Sequence, residues 1–363
     1  MADVLIIGGG IIGLLTARAL HQGGASVCIV ERGELGGESS WAGGGIVSPL
    51  YPWRYDDAVN RLAEKSKQLY PDLCRQLQEE SGVDSELTHS GLLIVHDDER
   101  QQALDWARRY AVQCEHLEDR AALQPIEPRL SERFETALWM PQIHQLRNPK
   151  FVQALRGSCR QRGIEVIEHS EVQQLLISAG RVRGVQLADR QVHAAQVVVA
   201  SGAWSAKLLA AAGASVEVEP VKGQMIMFKT EPDLIKTIVM SHGHYIIPRR
   251  DGHVLCGSTL EFTGFEKTTS THSREQLQQY AVELVPQLAR YPVVRHWAGL
   301  RPGTRRGIPY ICACDGVEGL YLHAGHYRNG IVLGAASAEL MAQLVSGDAP
   351  WCDPTPYALH APH

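Results

Sequence analysis

No apolar run in this 363-residue chain reaches the roughly 18 residues that a membrane-spanning helix needs. There is no basic excess either: 35 lysines and arginines stand against 40 acids, a formal net charge of -5. That balance gives no electrostatic footprint for nucleic acid and none for an anionic membrane surface. The 8 cysteines are scattered. Only Cys312 and Cys314 lie close together, flanking Ala313, and no histidines stand at the spacing a shared metal site requires, so no metal is expected. The apolar opening has no basic leader, and Asp3, Arg18 and a glycine cluster interrupt it, which argues against a signal peptide. Reduced thiols and a cytoplasmic location are therefore expected. No repeat recurs at a fixed period. With 44% apolar and 21% charged residues, the chain has an ordinary globular composition and the length for two domains.

The most informative stretch is the first thirty-two residues. Asp3 to Ile7 reads as a strand and ends in Gly8, Gly9 and Gly10; Gly13 follows, within a helical register of Leu14, Leu15, Ala17 and Leu20. A second strand-like run, Val27 to Val30, stops at Glu31. Strand, glycine turn, helix, strand and acid together form a dinucleotide-binding unit. Gly8 lets the turn close, Gly10 lets the backbone approach a pyrophosphate, and Gly13 lets the helix pack on the strand. The helix start offers unpaired N–H groups to phosphate, and Glu31 stands where a carboxylate accepts from ribose hydroxyls. Residues 32–49 are rich in Gly and Ser. They read either as a flexible surface loop or as backbone passing close to a bound cofactor, and their position favours the second.

Beyond this unit the pattern alternates. Asp56 to Ser81 and Asp98 to Val112 read as helices, Leu92 to Val95 as a strand, and Asp119 to Leu130, with two prolines, as irregular. Asn148 reads as the cap of a helix with Pro149 at its first position. Val197 to Val199 is a buried strand running into Ala200-Ser201-Gly202. Val216 to Lys229, Tyr245 to Pro248 and Val254 to Gly257 read as antiparallel strands, with Asp251-Gly252 a hairpin turn. A last strand, Leu320 to Ala324, leads into a helix from Gly330, and the tail from Asp348 is expected to be at best partly ordered. The expected architecture is α/β: a Rossmann-like nucleotide domain from residues 1–81, 148–215 and 301–363, with an inserted antiparallel substrate domain from 82–147 and 216–300.

Two late motifs are more specific: Gly299-Leu300-Arg301-Pro302-Gly303-Thr304, and the run Gly319 to Gly330 that contains Gly325-His326-Tyr327-Arg328-Asn329-Gly330. With the opening turn, Glu38 to Gly45 and Val199 to Trp204, they make the chain resemble the D-amino-acid-oxidase-like FAD enzymes over nearly its whole length, and within them the glycine oxidases linked to thiamine thiazole synthesis. The resemblance implies a glutathione-reductase-type FAD-binding fold. It implies FAD contacts at Gly8, Gly10, Gly13, Glu31, Arg32, Ser39, Ser40, Gly44, Gly45, Ile46, Val172 and Gly202, and along His326, Tyr327, Arg328, Asn329, Gly330, Ile331 and Val332. The flavin is expected to be non-covalent, because Ser39-Ser40-Trp41 supplies no histidine or cysteine. Arg301, Arg328 and Tyr245 are implied to hold a substrate carboxylate.

Residue chemistry alone leaves these three open. Arg328 precedes a helix start, where the dipole disfavours a cation by ~0.3–1 kcal/mol, so it either pairs with an anion or swings into solvent. Arg301 cannot be separated from Arg305 and Arg306 without the resemblance. A strand tyrosine such as Tyr245 is most often packing; its neighbour His244 should face the other way. The implied reaction takes hydride from the glycine Cα to flavin, reduces O2 to H2O2 and yields glyoxylate and ammonia, in a homo-oligomer, a tetramer. The alternatives are a sarcosine-type secondary-amine oxidase, a D-amino acid dehydrogenase, or a flavin-binding module without turnover.

Overall fold

The computed structural model describes residues 2–96, 98–211 and 213–361. The chain opens with strand β1 (Ala2–Ile7), helix α1 (Ile11–Gln22) and strand β2 (Val27–Val30). Helix α2 (Asp57–Ser81) follows, its first turn capped by the Asp56 carboxylate, which accepts from the Ala58 N–H at 2.8 Å. An excursion holding β3 (Leu92–Ile94) comes next, and α3 (Asn148–Gln161) and β4 (Gln191–Val199) bring the chain back. It leaves again through β5 (Glu219–Lys229), β6 (Ile238–Ser241), β7 (His244–Pro248), β8 (His253–Gly257) and β9 (Val293–Gly303). Strand β10 (Leu320–Ala324) and helix α4 (Gly330–Ser346) return it once more.

Two large sheets result. The first has the order Tyr310–Ala313, β10, β4, β1, β2, Glu165–Ile167, and only the Tyr310–Ala313 edge is antiparallel on that path. Its strands are apolar because both faces are covered; Ile6, Leu14, Leu62, Phe151, Val198 and Leu333 share one core beneath the helices. Register sets Ile7 beside both Val30 and Val199, and Val199 beside Leu322. The carboxyl ends are therefore level, so Gly8, Glu31, Ala200 and His323 emerge along one edge, where open α/β sheets bind ligands.

The second sheet runs β9, β5, β8, β7, β6, β3, Ala137–Met140, Glu115–Leu117. β5 and β9 pair antiparallel from Glu219 opposite Gly303 to Phe228 opposite Val293. It is not wholly antiparallel as expected: β6 and β3 are parallel. These strands come from separate excursions of the chain, so no hairpin dictates their relative direction. Residues 119–130 are also not wholly irregular. Asp119 accepts from the Ala122 N–H at 2.9 Å and starts the short helix Arg120–Leu123.

The tail differs more. Trp351 donates to the Ala336 carbonyl at 3.3 Å, and buried Tyr357 donates to the Ala58 carbonyl at 2.9 Å. These two aromatic anchors order the segment through residue 361 despite its prolines. Pro362 and His363 lie outside the described residues. Among the described residues, no helix is long and apolar enough to cross a membrane.

Candidate active site

A cavity of about 400 Å³ lies along the carboxyl edge of the first sheet and is closed from the other side by β5, β7 and β9 of the second. At one end sits the glycine turn. Gly8 has φ +109°, and a Cβ there would stand 2.5 Å from the Ala200 carbonyl oxygen. A Cβ on Gly13 would overlap the carbonyl oxygen of Gly8, so the helix meets the strand only through glycine. Glu31 ends β2 with its carboxylate fixed by the Gly9 N–H at 2.7 Å and the Gly33 N–H at 2.8 Å, which leaves lone pairs for further donors. Arg32 lies over the Trp204 ring at 3.6 Å and pairs with Glu38 at 2.9 Å.

Ser39 to Ile46 line the middle of the cavity, except Trp41. Ser40 Oγ accepts from the Ile11 N–H at 2.9 Å, at the start of α1, where Gly10 has no side chain to cap the N–H groups that follow. Gly45 has φ +79°, and a Cβ there would overlap the Leu146 carbonyl oxygen. Two residues not singled out as site residues hold this loop. Buried Arg249 donates to the Gly44 carbonyl at 2.7 Å, and burial brings its pKa down to about 10. Asn148 is not the helix cap that its Asn-Pro sequence suggested: Arg147 takes that position. Its Nδ2 instead donates to the Ser40 carbonyl at 2.9 Å, while buried Oδ1 has no partner. That carbonyl is free to accept from a hydroxyl in the cavity. No local signal separates this role from capping, because both use the same residue pair.

His323 and His326 bring fixed tautomers to the wall. Thr16 Oγ1 donates to the Ile12 carbonyl at 2.7 Å, so the 2.9 Å contact with His323 Nδ1 requires the proton on the histidine. Ser337 likewise donates to Gly334 at 3.2 Å, and His326 Nε2 donates to Ser337 at 3.0 Å. Burial pushes the His326 pKa down to about 3, and that of His323 well below its ordinary value. Both are neutral, each with one buried, unpartnered ring nitrogen as acceptor.

The far end of the cavity is cationic. Arg301 is carried by strand β9, not by a basic turn; its Nη1 donates to the carbonyls of Lys222 at 3.3 Å and Thr259 at 3.1 Å, and its Nη2 to Ser258 Oγ at 2.6 Å. Burial lowers its pKa. Arg305, by contrast, is exposed and paired with Glu217. Arg328 donates to the Gly243 carbonyl at 3.2 Å, just ahead of α4. Tyr245 is buried on β7 with its ring edge near Gly44, and His244 faces away, its ring 4.7 Å from that of Tyr280. Among the described residues, neither Arg301 nor Arg328 pairs with an acidic side chain.

Comparison with known proteins agrees with this geometry. Residues 3–344 match the family of FAD dependent oxidoreductases. The chain belongs to that family. It is 46% identical to a glycine oxidase of Pseudomonas aeruginosa over 356 residues, 98% of both chains. It is also 46% identical to a glycine oxidase of Pseudomonas putida over 357 residues, again 98% of both. The crystal structure of glycine oxidase from Geobacillus kaustophilus superposes with a TM-score of 0.95 at 30% identity, covering 100% of this chain and 99% of that one.

The residues of this FAD-dependent oxidoreductase suit the cofactor. The Gly8 and Gly45 cradles, the start of α1, the Glu31 carboxylate and the orphan Asn148 Oδ1 together meet a dinucleotide's phosphates and hydroxyls. Of the expected contacts, Gly8, Gly10, Glu31, Arg32, Ser39, Ser40, Gly44, Gly45, Ile46, Val172, Gly202, His326, Tyr327, Arg328, Gly330 and Ile331 line the cavity, as do Tyr245 and Arg301. Gly13, Asn329 and Val332 do not. Gly13 works from behind the turn, Asn329 is buried at the helix start, and Val332 points into the core. Asn148→Ala is expected to weaken FAD binding by ~1–3 kcal/mol, the cost of losing a buried anchor. Fluorescence titration of the apoprotein with FAD measures it, and unchanged affinity would remove Asn148 from the site.

Proposed function

We propose that the oxidoreductase is a glycine oxidase: glycine, O2 and water give glyoxylate, ammonia and H2O2. The observation that carries this reading is the pair of guanidinium groups, Arg301 and Arg328, without carboxylate partners at the end of a cavity opposite a dinucleotide turn. A purely structural cofactor needs no such clamp. Support for glycine comes from the two Pseudomonas relatives, whose names are glycine oxidase.

Bound FAD would supply the hydride acceptor and the route for its electrons to O2. The protein's part is to position. Arg301 and Arg328 take the substrate carboxylate, Tyr245 donates to it, and the α-carbon is thereby held in one place. The acids that line the cavity, Glu31, Glu38 and Glu171, belong to the nucleotide end, and His244 faces away. Burial makes His323 and His326 poor bases, so among the described residues none is placed to take a proton from the amine, and the amine must arrive neutral. The rate of flavin reduction is therefore expected to rise with pH as the substrate amine deprotonates. A flat profile from mildly acidic to alkaline pH, in stopped-flow measurements, contradicts it.

FAD is held without a covalent bond in this reading, since Ser39-Ser40-Trp41 offers neither histidine nor cysteine and no cysteine lines the cavity among the described residues. Residues 1–81, 148–215 and 301–363 serve the cofactor and 82–147 with 216–300 the substrate, strand β9 carrying Arg301 across that divide. A cytoplasmic homotetramer, whose imine product feeds thiazole synthesis, completes the proposal; light scattering tests the assembly. Peroxide yield per turnover with glycine, sarcosine and D-alanine tests the substrate. Greater efficiency with sarcosine than with glycine would favour the secondary-amine oxidase, and flavin reduction without peroxide a dehydrogenase.

A further inference from the structure

We propose that Ser258 is a positioning residue for the substrate carboxylate, setting the attitude of Arg301 through one hydroxyl. The inference rests on the carboxylate-binding reading of Arg301 given above. Ser258 is 5% exposed and does not line the cavity, so it acts only through its neighbours. Its Oγ accepts from Arg301 Nη2 at 2.6 Å, and the Tyr245 hydroxyl lies 3.5 Å away, too far for a full hydrogen bond, so its one hydrogen stays available to the carboxylate. One small hydroxyl thus holds Arg301 beside Tyr245, the two side chains expected to meet the same carboxylate.

The rest of the guanidinium is also spoken for. Both Nη1 hydrogens have acceptors, the carbonyls of Lys222 and Thr259. Only Nε–H and one Nη2–H remain for a ligand, so the bond to Ser258 decides which way that free edge points. Behind the group lies Gly223 of β5, where a Cβ would overlap the guanidinium. The segment that carries Ser258 is itself tied down. Lys222 and Glu261 exchange both backbone hydrogen bonds at 2.9 Å, their side chains pair at 2.9 Å, and the Gln224 N–H donates to Thr259 Oγ1 at 2.8 Å. A hydroxyl on so fixed a strip is a stop against which a long, flexible arginine settles into one orientation.

The test is ligand binding to the FAD-loaded enzyme without oxygen, read from the flavin spectrum, with acetate as a carboxylate that lacks the amine and with glycine in stopped flow. Ser258→Ala is expected to raise the Kd of acetate and of glycine by about 10-fold, as for a lost hydrogen bond to a charged group. The affinity for FAD should stay within about 2-fold, and Ser258→Thr, which keeps the hydroxyl, should restore most of the binding. Should Ser258→Ala fail to hold FAD, Ser258→Cys carries the same expectation, being close in size but a poor acceptor. Wild-type Kd values in the Ala and Cys variants overturn the proposal, as does a Thr variant no better than Ala. Arg301→Ala separates the two levels. If it weakens acetate while Ser258→Ala does not, only this inference fails; if Arg301→Ala leaves acetate binding unchanged, the carboxylate reading itself fails.

Discussion

Arg328→Ala is expected to lower kcat/KM for glycine by ~2–5 kcal/mol, or roughly 30- to 5,000-fold, the range for stripping one partner from a desolvated charge pair. The size follows from what Arg328 lacks. Among the described residues it donates to the neutral Gly243 carbonyl at 3.2 Å and to no carboxylate, and it sits at the start of α4, where the helix dipole works against a cation. Such a group holds favourable electrostatic energy in reserve for an arriving carboxylate. Steady-state kinetics on glycine measure the loss, and an unchanged kcat/KM removes Arg328 from the site.

The second large effect concerns the cofactor. Gly13→Ala forces a methyl group into the Gly8 carbonyl, and Gly45→Ala forces one into the Leu146 carbonyl at a backbone φ of +79°. Backbone cannot swing aside as a side chain tip does. Each change is expected to destabilise the fold by about 3 kcal/mol or more, the upper end of overpacking, with most of the bound flavin lost. Flavin-to-protein ratio after purification and Tm in the presence of FAD report it. A fully flavinated Gly13→Ala protein with wild-type Tm would show that the α1–β1 contact is looser than the carbonyl overlap implies.

How much of this was legible beforehand depended on whether the signal was local. The glycine turn, the two strands around it and the acid at Glu31 were readable because strand, turn and helix dictate their residues within a few positions. Arg328 was placed correctly before α4 because Gly330 opens a strongly apolar helical run. Arg301 was not separable from Arg305 and Arg306 on charge, because what distinguishes it is the pairing of β9 with β5, which no neighbour in sequence announces. Asn148 and the tail fail for the same reason. Asn-Pro reads as a cap until Ser40 appears across from it, and a proline-rich tail reads as loose until Tyr357 finds the Ala58 carbonyl. The parallel pairing of β6 with β3 likewise joins segments far apart in the chain.

The most direct test is anaerobic addition of glycine to the purified, FAD-loaded protein while the oxidised-flavin absorbance is followed. The guanidinium clamp predicts bleaching by glycine in the wild type and its slowing by orders of magnitude in the Arg301→Ala, Arg328→Ala double variant. Flavin that stays yellow with glycine in the wild type, or bleaches equally fast in both proteins, would contradict the account.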